Sequence, residues 1–337
     1  MRIAEINDVA SVASEIGRGL RRRGHEVTLI RPRLVGARLP AHIKPLVAPL
    51  RAWDWLRIVR RVRAGRFDVL HIHYAYLGVI GLLARKPYVL HCHGGDVWGL
   101  TPATRWPTAR ALEGAAHVFY STPDLAPHTL RYRPDAEFLP NPIDWQTFAP
   151  ATPAAESDAV YIACALDDLK GSPFILDACR RLAAERPAIR ITAIANGRYI
   201  EDFRALPNVT LLPFQRRADL PSLIGRHGVV IGQVNLGAAG MAELEAMACA
   251  RPVISLFTFA SAYPEPPPFV PARSGAEIAS AVVRLVDDAG ERQRIGDAGR
   301  AWVRRYHDLD AISGRVEAVA LSVVSRGSAG APAAPLP

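Results

Sequence analysis

Cysteine is scarce: Cys92, Cys164, Cys179 and Cys249 are the only four in a chain of 337 residues, and they stand far apart. Without a C-x-x-C pair the chain offers neither a zinc ribbon nor a disulfide framework, and free thiols with a cytoplasmic location are expected. No long apolar run is present either. The longest, residues 74–84, falls well short of the roughly 20 residues that span a bilayer. The chain opens on a strand-like segment without the charged-then-apolar pattern of a secretory leader, so none is expected. Internal repeats are absent apart from an alternation of strand-like and helix-like segments.

What the chain does have is an ordinary globular composition, 50% hydrophobic and 22% charged residues, with length enough for two cores. Its net charge of +9 is unevenly placed. Residues 1–150 hold 21 basic and 12 acidic side chains and the remainder 20 of each, so the whole excess lies in the first half. That distribution points to an anionic partner for the first half. Nucleic acid is not expected as that partner, because no reading helix or aromatic-and-basic platform accompanies the charge.

The most informative stretch is residues 229–256, VVIGQVNLGAAGMAELEAMACARPVISL. Val229–Ile231 reads as a buried strand, residues 232–240 as a glycine-containing loop, 241–250 as a helix ended by Arg251-Pro252, and 253–256 as the next strand. Strand, glycine loop, helix and strand together place backbone N–H groups and a helix N-terminus where a phosphate can sit. Glu243 and Glu245 are two apart on that helix and therefore point in different directions, so one is expected at the surface. Glu245, beside Leu244, Met247 and Ala248, would need a hydrogen-bond donor such as a ligand hydroxyl pair if it is held among them; an ordinary surface glutamate is the other reading that periodicity allows.

In chain order, strands are expected at 1–6, 26–30, 67–72, 88–91 and 117–121 in the first half, and at 159–163, 191–195, 209–212, 229–231 and 253–256 in the second. Helices are expected at about 10–23, 51–66, 173–185, 241–250, 275–286 and 289–306. Residues 31–50 and the linker 151–158 read as irregular, and 325–337 as a disordered tail. Strand–helix alternation argues an α/β fold with parallel sheets. The 51–66 helix carries Trp55, Ile58, Val59 and Val62 on one face, with arginines flanking or opposing them. Its face could simply pack on a core, or the arginines with Trp53 or Trp55 could dock on anionic lipid. His71, His73, His91 and His93 end two strands at what should be the carboxyl edge of a sheet. A metal reading is set aside, because no carboxylate or cysteine cluster has the spacing to complete a site. Asp308-Leu309-Asp310 reads as a helix start without a metal role.

Several passages resemble the family 4 glycosyltransferases, the "group 1" enzymes of GT-B fold. Residues 240–254 are similar to the family's donor signature, in which one glutamate precedes "F-G" and a second, eight positions on, opens "E-A-M-A-x-G-x-P-V". The second falls on Glu245; the first falls on Gly237, and Ala250 stands where the family has glycine. His71 and His73 match "D-V-V-H-x-H", and His93-Gly94-Gly95-Asp96 matches "H-G-x-D". Residues 138–150 resemble "I-P-N-G-V-D-x-x-x-F-x-P", with Pro142 in place of the glycine. Lys170-Gly171 matches the end of "G-R-L-x-x-x-K-G", whose arginine falls on Ala165. Leu20–Thr28 resembles the passage that closes the first helix, but the preceding loop, at Asn7-Asp8, lacks the family's glycine.

The resemblance implies two Rossmann-like domains with parallel sheets facing a central cleft: an acceptor domain at 1–150, a nucleotide-sugar domain at 151–306, then a C-terminal helix at 307–324. It implies a retaining, metal-independent glycosyltransferase that needs no cofactor. The sugar would pass from a nucleotide-sugar to a hydroxyl on a glycan, lipid-linked or small-molecule acceptor, in cell-surface glycan, glycolipid or natural-product glycoside synthesis. The same motifs give His93 and Lys170 catalytic roles, the first at the transferred sugar and the second at the donor diphosphate. Gly171, Phe214, Gly237, Ala238, Ala239, Gly240, Met241 and Glu245 would hold the donor; Asn7, His73, Gly94 and Asp96 would lie on the acceptor side. The basic 51–66 segment would bring the enzyme to the inner face of a membrane. The alternative is a GT-B scaffold whose degraded donor site, marked by Ala165 and Gly237, serves binding or regulation.

Overall fold

A computed structural model describes residues 1–33, 43–150 and 156–329. The chain divides into two compact units, Met1–Pro142 with the chain from Leu309 onward, and Ile143–Asp308.

The first unit alternates β1 (Arg2–Ile6), α1 (Val12–Arg22), β2 (Glu26–Ile30), α2 (Ala48–Ala64), β3 (Val69–His73), α3 (Val79–Ala84), β4 (Tyr88–Cys92), α4 (Pro102–Gly114), β5 (His117–Tyr120), α5 (Ala126–Leu130) and β6 (Glu137–Phe138). Its six strands are all parallel, in the order β2-β1-β3-β4-β5-β6. Side chains alternate across the sheet. Ala4, Ile6, Leu70, Ile72, Leu90 and Val118 join Ile58, Val59 and Val62 of α2 and Ala111 and Leu112 of α4 in one apolar core. The intervening residues of β1, β3 and β4 include Glu5, His71, His73 and His91, all fully buried.

The second unit holds β7 (Glu156–Ile162), α6 (Ser172–Glu185), β8 (Arg190–Ile194), α7 (Ile200–Arg204), β9 (Val209–Leu212), α8 (Leu220–Gly225), β10 (His227–Ile231), α9 (Met241–Ala248), β11 (Val253–Ile254), α10 (Gly275–Asp287) and α11 (Ala289–Tyr306). Its parallel sheet runs β11-β10-β7-β8-β9. Strand order reverses between β1 and β3 in the first sheet and between β7 and β10 in the second. At such switch points the loops diverge to opposite faces and leave a crevice for ligands.

The last helix, α12 (Leu309–Ala329), belongs to the first unit. It packs on α1, where Arg23 reaches both Asp310 and Glu317 and His25 lies 2.6 Å from Glu317. The helix therefore runs into the stretch expected as a disordered tail, of which 330–337 lie outside the described residues. Of the segment expected to be irregular at 31–50, residues 34–42 also lie outside them, while 44–50 are helical. Pro49 at a helix start explains that difference, since its fixed φ suits the first turn. Linker residues 151–155 are outside the description, and 156–158 already belong to β7.

Candidate active site: a histidine cluster and a glycine loop

In the first unit the ends of β1, β3 and β4 are tied together. Asn7 donates through Nδ2 to the carbonyl of His73 at 3.1 Å, and its own N–H bonds Ile30. Behind it, Glu5 accepts from His71 Nδ1 at 3.0 Å and from His73 Nε2 at 2.8 Å. A carboxylate only accepts, so His73 carries its proton on Nε2 and presents a lone pair at Nδ1. His93 Nε2, 2.9 Å from that Nδ1, is then the donor. Burial raises Glu5, but the charge of His71 and the two histidine hydrogen bonds outweigh it and hold the carboxyl at about 2. Burial drives His73, His91 and His93 below the usual imidazole range.

Asp96 fixes the backbone around His93. Its carboxylate accepts from the N–H groups of Ala75 (2.7 Å), His93 (3.0 Å) and Gly94 (2.7 Å). Burial still pushes it up to about 6. The expected acceptor-side residues Asn7, His73, Gly94 and Asp96 thus converge on His93. Beside Asn7 opens a cavity of about 670 Å³, lined among others by Arg33, Arg51, Trp55, Tyr74 and Tyr76. Trp55 and Tyr76 stack 5.9 Å apart, so Trp55 is shared between the helix face and the cavity wall.

The loop that lacks the family's glycine folds without one. Asn7, Ala10 and Ser11 all take left-handed conformations (φ 71°, 47° and 66°), and Tyr74 has φ 95°. Such backbone costs on the order of 1–3 kcal/mol per residue and clusters where a ligand is met.

In the second unit, β7 and β10 deliver two loops to the other switch point. Lys170 and Gly171 follow β7. The carbonyl of Lys170 accepts from Val234 N–H at 3.0 Å, and Asn235 Nδ2 donates to Asp168 O at 3.2 Å. Gly171 has φ 83°, and a Cβ there would meet Val234 at 2.6 Å, so only glycine permits this approach. Lys170 is half-buried, and no ion pair involving its ammonium is found among the described residues.

Gln233 organises the glycine loop. Fully buried, its Oε1 accepts from the N–H groups of Asn235, Leu236 and Gly237, and its Nε2 donates to the carbonyls of Ala238 and Leu256. Gly237 sits at φ 77° with Thr258 Oγ1 2.4 Å from where a Cβ would be. A side chain at this position would strain the present backbone and collide with Thr258.

One expectation is overturned here: neither Glu243 nor Glu245 is at the surface. Both are buried, at 2% and 3% exposure. They do diverge, but each finds a protein partner. Glu243 turns back to accept from Gln233 N–H at 2.8 Å and Gly240 N–H at 3.1 Å, closing the loop onto the start of α9 from the helix side alone, since Gly240 has no side chain to reciprocate. Glu245 pairs with Arg217, whose guanidinium lies 5.0 Å over the Phe148 ring. Phe214, three residues before Arg217, is 84% exposed. Ala238, Ala239, Gly240 and Met241 form the entry to α9, whose first-turn N–H groups lack intrahelical acceptors.

Asp308 and Asp310 are spent on Trp145 (2.7 Å) and Arg23. All four cysteines are buried and free. Sequence reading missed Glu5, Gln233, Arg217 and the structural role of Glu243. Only Glu5 left a clear trace, as a charge inside the strand RIAEI.

Comparisons with known proteins bear on the family and the fold. Residues 9–146 match the family described as Glycosyltransferase Family 4, and residues 157–288 match Glycosyl transferases group 1. Over 246 residues the chain is 25% identical to the GDP-mannose-dependent monoacylated alpha-(1-6)-phosphatidylinositol monomannoside mannosyltransferase of Corynebacterium glutamicum. That match covers 63% of this chain and spans 64% of the relative's length. Among solved structures, sucrose-phosphate synthase from Thermosynechococcus elongatus superimposes with TM-score 0.76 at 17% identity, covering 97% of this chain and all of the other. Anabaena HepE in complex with UDP-glucose superimposes with TM-score 0.71 at 14% identity, covering 96% of this chain and all of the other. With both halves matched by the family and the GT-B fold shared throughout, the chain belongs to the family 4 glycosyltransferases.

Proposed function

We propose that the protein transfers a sugar from a nucleotide-sugar to an acceptor hydroxyl with retention of anomeric configuration and without a metal at the donor diphosphate. The observation that carries this reading is the pair of loops at the β7/β10 switch point, where Lys170 and the entry to α9 lie on adjoining backbone segments. A diphosphate there meets one ammonium and several N–H groups, which stabilise leaving-group charge directly. Glu245, with Arg217 beside it, is the acceptor for ribose hydroxyls, and Phe214, whose ring is exposed, lies against the base in this reading. The acceptor oxygen forms its bond to the anomeric carbon on the face from which the diphosphate departs. The carbon–phosphate-oxygen bond breaks, and the hydroxyl proton passes to the leaving diphosphate. His93, oriented by His73 and Glu5, serves the transferred sugar.

The acceptor is proposed to be a glycan or lipid-linked hydroxyl met at an anionic membrane surface. Support comes from the basic excess of the first half and from α2, which exposes Leu50, Trp53 and Leu56 between its arginines. The Corynebacterium relative is named for a phosphatidylinositol-linked acceptor, which is consistent with this reading. No helix among the described residues is long and apolar enough to cross a membrane.

Titration calorimetry against UDP, GDP and ADP and their sugar conjugates tests the donor reading. One nucleotide family should bind, and Lys170→Ala should abolish turnover while leaving the fold intact. Anomeric NMR of the product tests retention. Near-normal turnover by Lys170→Ala excludes the mechanism, and no binding by any nucleotide would favour the non-catalytic scaffold.

A further inference from the structure

The buried face of the first sheet holds more polar groups than the proposed transfer uses. Glu5, His71, His73 and His91 sit on adjacent strands in register, Glu5 opposite His71 and His73 opposite His91. None is more than 2% exposed. Their rings pack closely, with centroids 4.3 Å apart for His71 and His73, 5.2 Å for His73 and His91, and 5.5 Å for His71 and His91. Aliphatic side chains would fill such a face at lower cost, because buried polar atoms must find partners.

Here several do not. His71 Nε2 and both ring nitrogens of His91 have no hydrogen-bond partner among the described residues. Each such buried atom carries a desolvation penalty that nothing among the described residues offsets. Glu5 adds a second demand, since a carboxylate sealed from water needs positive charge beside it.

One nitrogen from each of His71, His73 and His91 lies within 4.8 Å of the others. Some point is then within about 2.8 Å of all three, and inward ring movements of under ~1 Å reach the usual zinc–nitrogen bond of about 2.0–2.1 Å. With His71 donating Nδ1–H to Glu5, loss of the other ring proton to an incoming cation leaves Nε2 as its lone-pair nitrogen. This is the carboxylate–histidine–metal arrangement in which a second carboxylate shell orients the ligand.

We infer that His71, His73 and His91, backed by Glu5, form a buried site for a borderline transition-metal cation such as Zn²⁺. His73 enters by giving up one of its two present hydrogen bonds. The cation satisfies the orphaned nitrogens of His71 and His91 and neutralises Glu5 together. Its role is to clamp the ends of β1, β3 and β4 beneath Asn7, Tyr74 and His93, in the first unit and apart from the diphosphate chemistry. Spacing along the chain brings no carboxylate cluster to these histidines. Strand register supplies Glu5 from 66 residues away, which spacing cannot show.

Because the site is closed, loading belongs to folding. Untagged full-length protein, unfolded and refolded with ZnCl₂ and then passed over chelating resin, should retain about one zinc per chain by mass spectrometry. Refolding with CoCl₂ should give visible ligand-field bands. The double variant His71→Gln/His91→Gln should lose at least tenfold of the retained metal and all of the cobalt bands, with circular dichroism unchanged. Should that variant fail to fold, Glu5→Gln gives a second readout, a tenfold or greater loss of zinc affinity. Wild-type protein that refolds fully yet keeps less than a tenth of an equivalent overturns the site, leaving water as the filler. Equal metal in wild type and a folded double variant overturns it too.

Discussion

Arg217 closes on the buried carboxylate of Glu245 and places its guanidinium 5.0 Å over the ring of Phe148. The glutamate proposed to receive the ribose is therefore already engaged with a cation, and Arg217 is only 26% exposed. Nucleotide binding must reshape or share this pair. Glu245→Ala should weaken nucleotide binding by about 1.5–3 kcal/mol, the range for a hydrogen bond to a charged group. In a double-mutant cycle of Arg217→Met with Glu245→Gln, the coupling in unfolding free energy should fall between about 0.5 and 3 kcal/mol. Strictly additive effects would mean that the two side chains act independently.

Glu243 should matter nearly as much, for a different reason. It holds Gln233 and Gly240, and through them the loop proposed to meet the diphosphate. Glu243→Ala should raise the dissociation constant for the nucleotide about tenfold or more and make residues 232–240 a site of limited proteolysis. Glu245→Ala should weaken binding while leaving that loop resistant to the protease. A protease-resistant loop in Glu243→Ala would remove this distinction.

Asp96 makes a pH-dependent contribution. Its folded value near 6 exceeds the ordinary 3.8 because burial disfavours the anion. The folded state thus binds the proton more tightly than the unfolded chain. Stability from this group is fully present below about pH 4 and is lost as pH rises through about 6. The raised value corresponds to a swing on the order of 3 kcal/mol. Asn at this position cannot ionise, so the stability difference between Asp96→Asn and wild type should move in the variant's favour as pH rises from 4.5 to 7.5. Denaturant melts across that range check it. A difference independent of pH would show that Asp96 titrates normally.

How much of this was legible beforehand follows from the range of each interaction. The main strands and the longer helices, including the helix at 289–306, followed from local pattern, whereas α3, α4, α5 and α7 were not anticipated. The motif residues on one loop, such as Gly171 beside Lys170, could be read from adjacent positions. Partners brought by tertiary contact could not. Arg217 is 28 residues from Glu245, and Glu5 is 68 from His73. Two-residue spacing on α9 correctly implied that Glu243 and Glu245 diverge. It could not show that both directions lead into protein, because burial depends on what packs around the helix.

Ala250 offers a stability test with no catalytic content. It follows α9 at φ 54°, a left-handed conformation that costs a non-glycine residue roughly 1–2 kcal/mol. Glycine relieves that strain but enlarges the unfolded ensemble by about 0.4–1 kcal/mol. Ala250→Gly should therefore leave the protein slightly more stable, by up to about 1 kcal/mol, with turnover unchanged. A fall in melting temperature would show that the alanine methyl packs well enough to outweigh its backbone.

The surface of α2 provides the test of where the protein works. Leu46 just before the helix, then Leu50, Trp53 and Leu56, are 77%, 57%, 55% and 41% exposed, at spacings that form one stripe. Arg57, Arg60 and Arg61 are exposed beside it, and the Arg60 guanidinium lies 5.7 Å over Trp53. Apolar side chains that could have packed inward but face water, ringed by one sign of charge, suit an interface of headgroups and acyl chains. Each arginine near an anionic surface adds about 1 kcal/mol, so several suffice for reversible attachment. Co-sedimentation with vesicles of neutral and anionic lipid separates attachment from a merely solvated helix. Binding should require anionic lipid and fall as salt rises. It should weaken at least tenfold when Arg57, Arg60 and Arg61 are all replaced by Glu, and separately when Trp53→Ala removes the apolar contact. Charge reversal that leaves binding unchanged, or no sedimentation with anionic vesicles at low salt, would mean that the acceptor is met in solution.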